Sequence, residues 1–388
     1  MSEYQYYEFQ AIDHPLDNTD REALRALSTR AQITATSFTN SYKWGDFQGN
    51  PDTLMEHWFD LHLYLANWAS RRLMMRWPTR LIDRDRIGAM LDGVECVTLR
   101  TAGDNLIVDF EIDELEGEDW DDGAGWLANL APLRAAVLDG DLRLFYLAWL
   151  IAVDVEDIAP DELEPMTGLG PLTPALEAFA RFFFIDSDLV AAAAEHASSP
   201  FNAQPPSTNL ANPIIAAMTD DEKTDLLVRL YAGDVHIVDE LRACVRQRLT
   251  TENNAPPIAP RTVGELRARA DAIRQNRDRI QAEQTVAEQK QRDEEARQAF
   301  RARLDTLREK GVSVWTEIET EIERRNRPGY DKAASLLHDL RVIAEESGST
   351  EHFVHRLQDI CGRHAAKKRF IERLAQTKLL DGPPTLDR

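Results

Sequence analysis

Cysteine is scarce in this chain: three in 388 residues, at Cys96, Cys244 and Cys361, with no CxxC pair. An odd, scattered set excludes a disulfide framework and a cysteine-built zinc site, and each thiol is expected to pack as a small hydrophobe. Long apolar runs are missing too. The longest, "LFYLAWLIAV" at 144–153, covers ten positions, whereas a bilayer span needs about twenty. No membrane partner is therefore expected. The opening "MSEYQYYEFQ" has neither a basic stretch nor an apolar run, which argues against a secretory signal and for a cytoplasmic protein. GxGxxG, GxxxxGK[ST] and GxSxG are all absent, so the common phosphate loops and the serine-nucleophile elbow are excluded. The expected cofactor is none, and the expected metal is none.

Acidic charge is abundant. The net charge is −22, and it is uneven: residues 1–260 hold 19 basic against 44 acidic side chains, residues 261–388 hold 26 against 23. An acidic N-terminal body repels nucleic-acid phosphates, so a charged partner of that body is expected to be a basic protein. The acidic run Asp113, Glu114, Glu116, Glu118, Asp119, Asp121, Asp122 lacks the alternating oxygens around a central glycine that a calcium loop uses, and reads as a solvated loop.

Periodicity and breakers give an α+β chain. Residues 1–122 alternate short helices with strands such as "QITATSFTNSYKW", "RRLMMRWP" and the hairpin "VECVTLR-TAGD-NLIVDFEID", which predicts a mixed sheet covered by helices. Residues 123–250 read as a helical region. Within it, "DLRLFYLAWLIAV" is apolar nearly all round, as a fully buried helix is. The helix opening at Thr219 is expected to pack Leu226, Leu227 and Leu230 against Ile237, Leu241, Cys244, Val245 and Leu249 of its successor. The segments 197–213 and 251–262, rich in Pro, Asn and Ser, read as linkers. Residues 263–310 contain one glycine and no proline and predict one long helix, packed at its ends and wet in its middle, because the apolar stripe fades between Ile280 and Phe300. Residues 311–380 predict a C-terminal helical bundle broken at "RNRPG", at "SGST" and near Gly362.

The chemically densest stretch is "NPDTLMEHWFDLHLYLANW", residues 50–68. Asn50, Pro51 and Asp52 form a helix start. Leu54, Trp58, Leu61, Leu65 and Trp68 recur at intervals of 4, 3, 4, 3, which predicts a packed helix over 51–71. His62 falls on its apolar side as a core histidine with one hydrogen bond. The opposite side carries His57, Asp60, Tyr64, Asn67 and Arg71, a polar ridge able to line a pocket or to face solvent. His57 and His62 point about 140° apart on a helix, so this segment alone does not bind a metal. The one compact basic patch, "RHAAKKRF", holds Arg363, Lys367, Lys368 and Arg369, candidates for nucleic-acid contact.

Two stretches carry a resemblance. "YQYYEFQAID…LSTRAQITATSFTNSYKWGDFQGNP" with "GDLRLFYLAWL" resembles an uncharacterised family of bacterial proteins, which brings no assigned activity. "WTEIETEIERR…YDKAASLLHDLRVIAEE…FVHRLQDICGRHAAKKRFIERL" is similar to the tail of bacterial SWIM-type zinc-finger proteins. The CxC and CxH zinc motif of those proteins is absent, so no metal ligand carries over. The likeness implies a shared helical module for protein interaction, in complexes with helicase-like or AAA+ ATPases. Taken together, the residues favour a non-catalytic interaction or scaffold component of a bacterial multiprotein system. Two alternatives stay open. One is an enzyme, hydrolytic or nucleic-acid-processing, using the polar ridge. The other is a nucleic-acid-binding accessory protein using the basic patch.

Overall fold

The computed structural model describes residues 4–45, 47–113, 121–196, 208–250, 259–377 and 379. Contacts divide the chain into two units, Met1–Arg277 and Asp278–Arg388. The first is built on seven strands: β1 (Gln5–Gln10), β2 (Gln32–Ile33), β3 (Ser37–Tyr42), β4 (Leu61–Ala66), β5 (Arg71–Pro78), β6 (Val97–Ala102) and β7 (Asn105–Ile112). They form one sheet in the order β2-β3-β1-β4-β5-β7-β6. The α+β class is as the sequence indicates. Every ladder is antiparallel, so the sheet is not mixed in orientation. The β6–β7 hairpin closes at Ala102 and Asn105, with Gly103 at φ +58°, a left-handed turn position that a residue without Cβ accepts.

Side chains alternate across a strand, and here both faces are covered. On one face Leu61, Leu63, Leu65, Leu73, Met75, Trp77, Leu106, Val108 and Phe110 join the helices between Trp126 and Ala194 and the start of the Val263–Lys310 helix in one core. On the other, Tyr7, Phe9, Phe38, Met74 and Ile107 pack with Leu24, Leu54, Met55 and Phe59. Those last four come from the Asn18–Leu27 helix, the Pro51–His57 helix and the turn after it. The helix Arg143–Asp154 is buried at every position from Arg143 to Val153, as its all-round apolarity predicts.

The dense stretch departs from expectation. Its helix spans only Pro51–His57, started as predicted by the Asn50 side chain and Pro51. The chain then turns at Phe59–Asp60 and runs as β4, turns again through Asn67–Ser70, and returns as β5. A continuous 51–71 helix does not exist. A strand buried on both faces is apolar at odd and even positions alike, and that pattern also satisfies a 3–4 spacing. Leu61 and Leu65 are buried, Trp58 is half-buried and Trp68 is exposed. The 197–213 linker is corrected in part: residues from Thr208 belong to a helix that reaches Ala216, and 197–207 lie outside the described residues. In the second linker 251–258 lie outside them, whereas Arg261 is fixed to the Glu164 carboxylate by three hydrogen bonds at 2.9, 3.2 and 3.0 Å.

The helix Val263–Lys310 is continuous. Val263, Leu266 and Ala270 are buried, as are Leu304 and Leu307, and every residue from Gln275 to Arg303 is exposed. In the second unit it is followed by helices Ser313–Glu323, Arg327–Glu346, Thr350–Arg363 and Lys368–Gln376. Their core contains Val314, Ile318, Ile322, Leu337, Phe353, Leu357, Ile360 and Phe370. No helix among the described residues is long and apolar enough to cross a membrane.

Candidate functional site

The five residues of the expected ridge do not form one. His57 is exposed at the end of its helix. Tyr64 and Arg71 lie on opposite faces of the sheet. Tyr64 pairs with Arg72, and Arg71 pairs with Leu65, and cross-strand partners share a face. The Tyr64 ring packs at a tilt against Tyr7, ring centroids 4.7 Å apart. The Asn67 side chain accepts from the Tyr4 amide at 2.9 Å and so fixes the β4–β5 turn. Arg71 is buried beneath Phe182 and Phe184, its guanidinium 4.9 and 4.7 Å from their ring centres, with Asp121 at 3.4 Å. Burial lowers its pKa and the nearby carboxylate partly restores it.

Asp60 is fully buried and organises its surroundings. Its Oδ2 accepts from the amides of Ile12 and Asp13 at 2.6 and 2.9 Å. Its Oδ1 accepts from Arg76 Nη2 and Nε at 2.9 and 3.2 Å. Arg76 Nη1 in turn donates to the carbonyls of Met55 and Glu56 at 2.9 and 3.1 Å, the open C-terminal end of the short helix. Next to this pair, Arg134 donates to Asp13 at 2.6 Å, and His236 Nε2 meets the same Asp13 oxygen at 2.8 Å. Burial alone would raise Asp13, but hydrogen bonds from His236 and Arg134 outweigh it and hold the carboxyl at about 2. The Asp13 hydrogen bond raises His236 against its burial. Each carboxylate oxygen of Asp60 is thus filled by protein donors, so the group holds structure together and has no lone pair facing a substrate. Sequence reasoning singled out Asp60 but missed Asp13, Arg134 and His236. Each is an isolated polar residue without a local motif.

His62 sits on β4, stacked on Phe9 with ring centroids 3.9 Å apart. Nδ1 is 3.1 Å from the Glu8 carbonyl and Nε2 has no partner. Burial lowers its pKa to about 3, so the ring is neutral, a core histidine with one hydrogen bond. Among the described residues no group of three His, Cys, Asp or Glu side chains is placed to hold a metal ion.

The helix Asp220–Tyr231 presents a different surface. Its start is a capping box between Thr219 and Glu222. Its Arg229 donates to Asp234 at 2.7 Å and to Glu240 at 2.9 Å, and Arg80 joins the same two acids. Leu226 and Arg229 are half-buried on the side of this ionic cluster. Leu227 and Leu230, expected to be buried against the next helix, are exposed instead. Leu227, Val228, Leu230 and Tyr231 are exposed, Tyr231 to 95%. Asp220, Asp221, Glu222 and Asp225 of the same helix are exposed, and three of them are paired: Asp220 with Lys223 at 3.8 Å, Glu222 with Arg248 and Asp225 with Arg229 at 3.5 Å each.

In the second unit the basic patch is half spent. Arg363 contacts Glu319 at 2.5 Å and Asp359 at 3.1 Å, and Lys367 contacts Glu323 at 2.7 Å. Lys368 and Arg369 are exposed. Compared with known proteins, the chain matches no family model, no curated protein and no solved structure.

Proposed function

We propose that this protein is a non-catalytic interaction component, and that its first unit docks a protein partner bearing basic residues around an apolar strip. The observation that carries the reading is the outward face of Leu227, Val228, Leu230 and Tyr231. A contiguous apolar face on a folded surface marks an interaction site far more often than a lone exposed leucine does. Burying it returns roughly 25 cal/mol per Å² of apolar area. The excess of acidic over basic side chains in residues 1–277, 46 against 24, supplies steering toward a basic rim. An amphipathic helix laid into a groove is a common recognition mode, and the helical likeness of the C-terminal run points the same way. The enzyme alternative rested on the polar ridge, whose members do not converge. The nucleic-acid alternative retains Lys368 and Arg369 but has lost Arg363 and Lys367 to ion pairs.

The test is quantitative affinity purification of the tagged full chain from its native cell. A stoichiometric partner is expected, and its recovery should fall at least tenfold for Leu227→Asp with Tyr231→Asp, with the melting temperature unchanged. Absence of any stoichiometric partner, or equal recovery with the double variant, overturns the reading.

A further inference from the structure

We propose that the second unit carries a separate peptide site of opposite charge preference, which takes a large apolar side chain flanked by carboxylates. The site is a cleft of about 180 Å³ between the helices Ser313–Glu323, Arg327–Glu346 and Thr350–Arg363. Trp315, Leu340, Ile343 and Phe353 form its apolar lining, and His352 and Arg356 stand on its rim. Trp315 and Phe353 meet at 6.0 Å between ring centroids. A cavity of about 150 Å³ accepts a benzene-sized group, so the cleft holds one leucine, isoleucine or phenylalanine side chain and little more.

Charge decides what surrounds that side chain. Arg356 lies over the Trp315 ring at 5.2 Å, and no carboxylate stands within ion-pair distance of it among the described residues. The acids at the end of the neighbouring helix are occupied: Glu345 by Arg341 at 2.8 Å, and Glu346 by Arg308. His352 lies in the first turn of Thr350–Arg363, where the helix dipole is positive. The rim therefore offers the Arg356 guanidinium without an ion-pair partner among the described residues, while Glu351, in the same first turn as His352, offsets the dipole there. A planar guanidinium held by stacking is pre-organised for a carboxylate. A stacked nucleobase fits less well, because the guanidinium already covers Trp315 and the rest of the floor includes aliphatic Leu340 and Ile343.

The proposal adds a second site to the interaction reading and shares with it only the premise that the chain binds proteins. Fluorescence anisotropy with the full chain tests it directly. The probes are a labelled short peptide with adjacent leucine and phenylalanine between aspartates and glutamates, its counterpart with lysines in place of the acids, and a labelled single-stranded RNA. The chain's net charge of −22 favours the lysine peptide over the whole surface, so preference for the acidic peptide reports the cleft. That preference is the expected result. Arg356→Glu, an exposed change, should weaken the acidic peptide about tenfold or more and strengthen the lysine peptide, a swap that a merely structural role of Arg356 does not produce. The idea is overturned by lack of saturable acidic-peptide binding, by an Arg356→Glu variant that binds it as the native chain does, or by RNA as the ligand that responds to this change. Leu227→Asp with Tyr231→Asp should leave peptide binding intact, so either site can fail without the other.

Discussion

His62 and His236 are both histidines close to the N-terminal sheet, yet their surroundings push them in opposite directions. Unfolded, an imidazole takes a proton near pH 6.5; buried against Phe9, His62 resists protonation down to about 3. The stability it contributes is complete above about pH 6.5 and is lost as pH falls toward 3. His236, raised by Asp13, contributes fully below about 6.5 and loses that contribution as pH rises through its folded value. Asp13, held at about 2, contributes fully above its unfolded value near 3.9 and loses that contribution only as pH falls from there toward 2. Between pH 6.5 and about 4.5, therefore, His62 rather than His236 loses stabilisation, and in the second unit His364, also lowered by burial, changes in the same direction. His62→Phe removes the titration and the unpartnered Nε2 while keeping a ring on Phe9. Urea midpoints measured across that window should fall less for the variant than for the native chain. Equal slopes would mean that His62 is not buried as described.

Among the elements, the most legible were those with clear punctuation. Pro328 and Gly348 mark ends of C-terminal helices, and an uninterrupted run without proline marks the helix Val263–Lys310. The least legible was β4. Leu61, Leu63 and Leu65 face one core and His62 and Tyr64 the other, so no solvent-facing polar alternation announces a strand. The candidate sites were hidden for a related reason. Leu227 and Leu230 sit at core-like spacing yet are exposed, while Arg229 between them pairs with Asp234 and Glu240, a contact that no local motif signals. The wet middle of the long helix gives an element-scale prediction. Gln289 is exposed and its side chain bonds only along the helix, to Asp293. Gln289→Pro costs the helix about 3 kcal/mol locally but removes no core contact. Far-ultraviolet circular dichroism should show a small loss of helix, with the unfolding temperatures of both units unchanged. A lowered temperature in either would show that the exposed stretch supports a core.

For the whole molecule, charge and unit boundary nearly coincide. Residues 1–277 hold 24 basic against 46 acidic side chains, and residues 278–388 hold 21 of each. Self-repulsion thus acts on the first unit alone, and salt screens it over a distance of about 8 Å at physiological strength. Scanning calorimetry in rising sodium chloride should raise the melting temperature of the first unit and leave that of the second nearly fixed. A parallel shift of both, or none, would contradict a charge-strained first unit. One contact in that unit also constrains the order of its assembly. Asp13 and His236 stand 223 positions apart, and joining ends so distant carries a loop-closure cost that grows with the logarithm of the separation. That tie needs His236 as well as the nearby Asp13, Asp60, Arg76 and Arg134, all of which precede it by about a hundred residues or more. Without it, Asp13 keeps Arg134 and lacks its histidine partner. A ribosome-bound chain that has not yet released His236 holds this corner of its architecture unfinished.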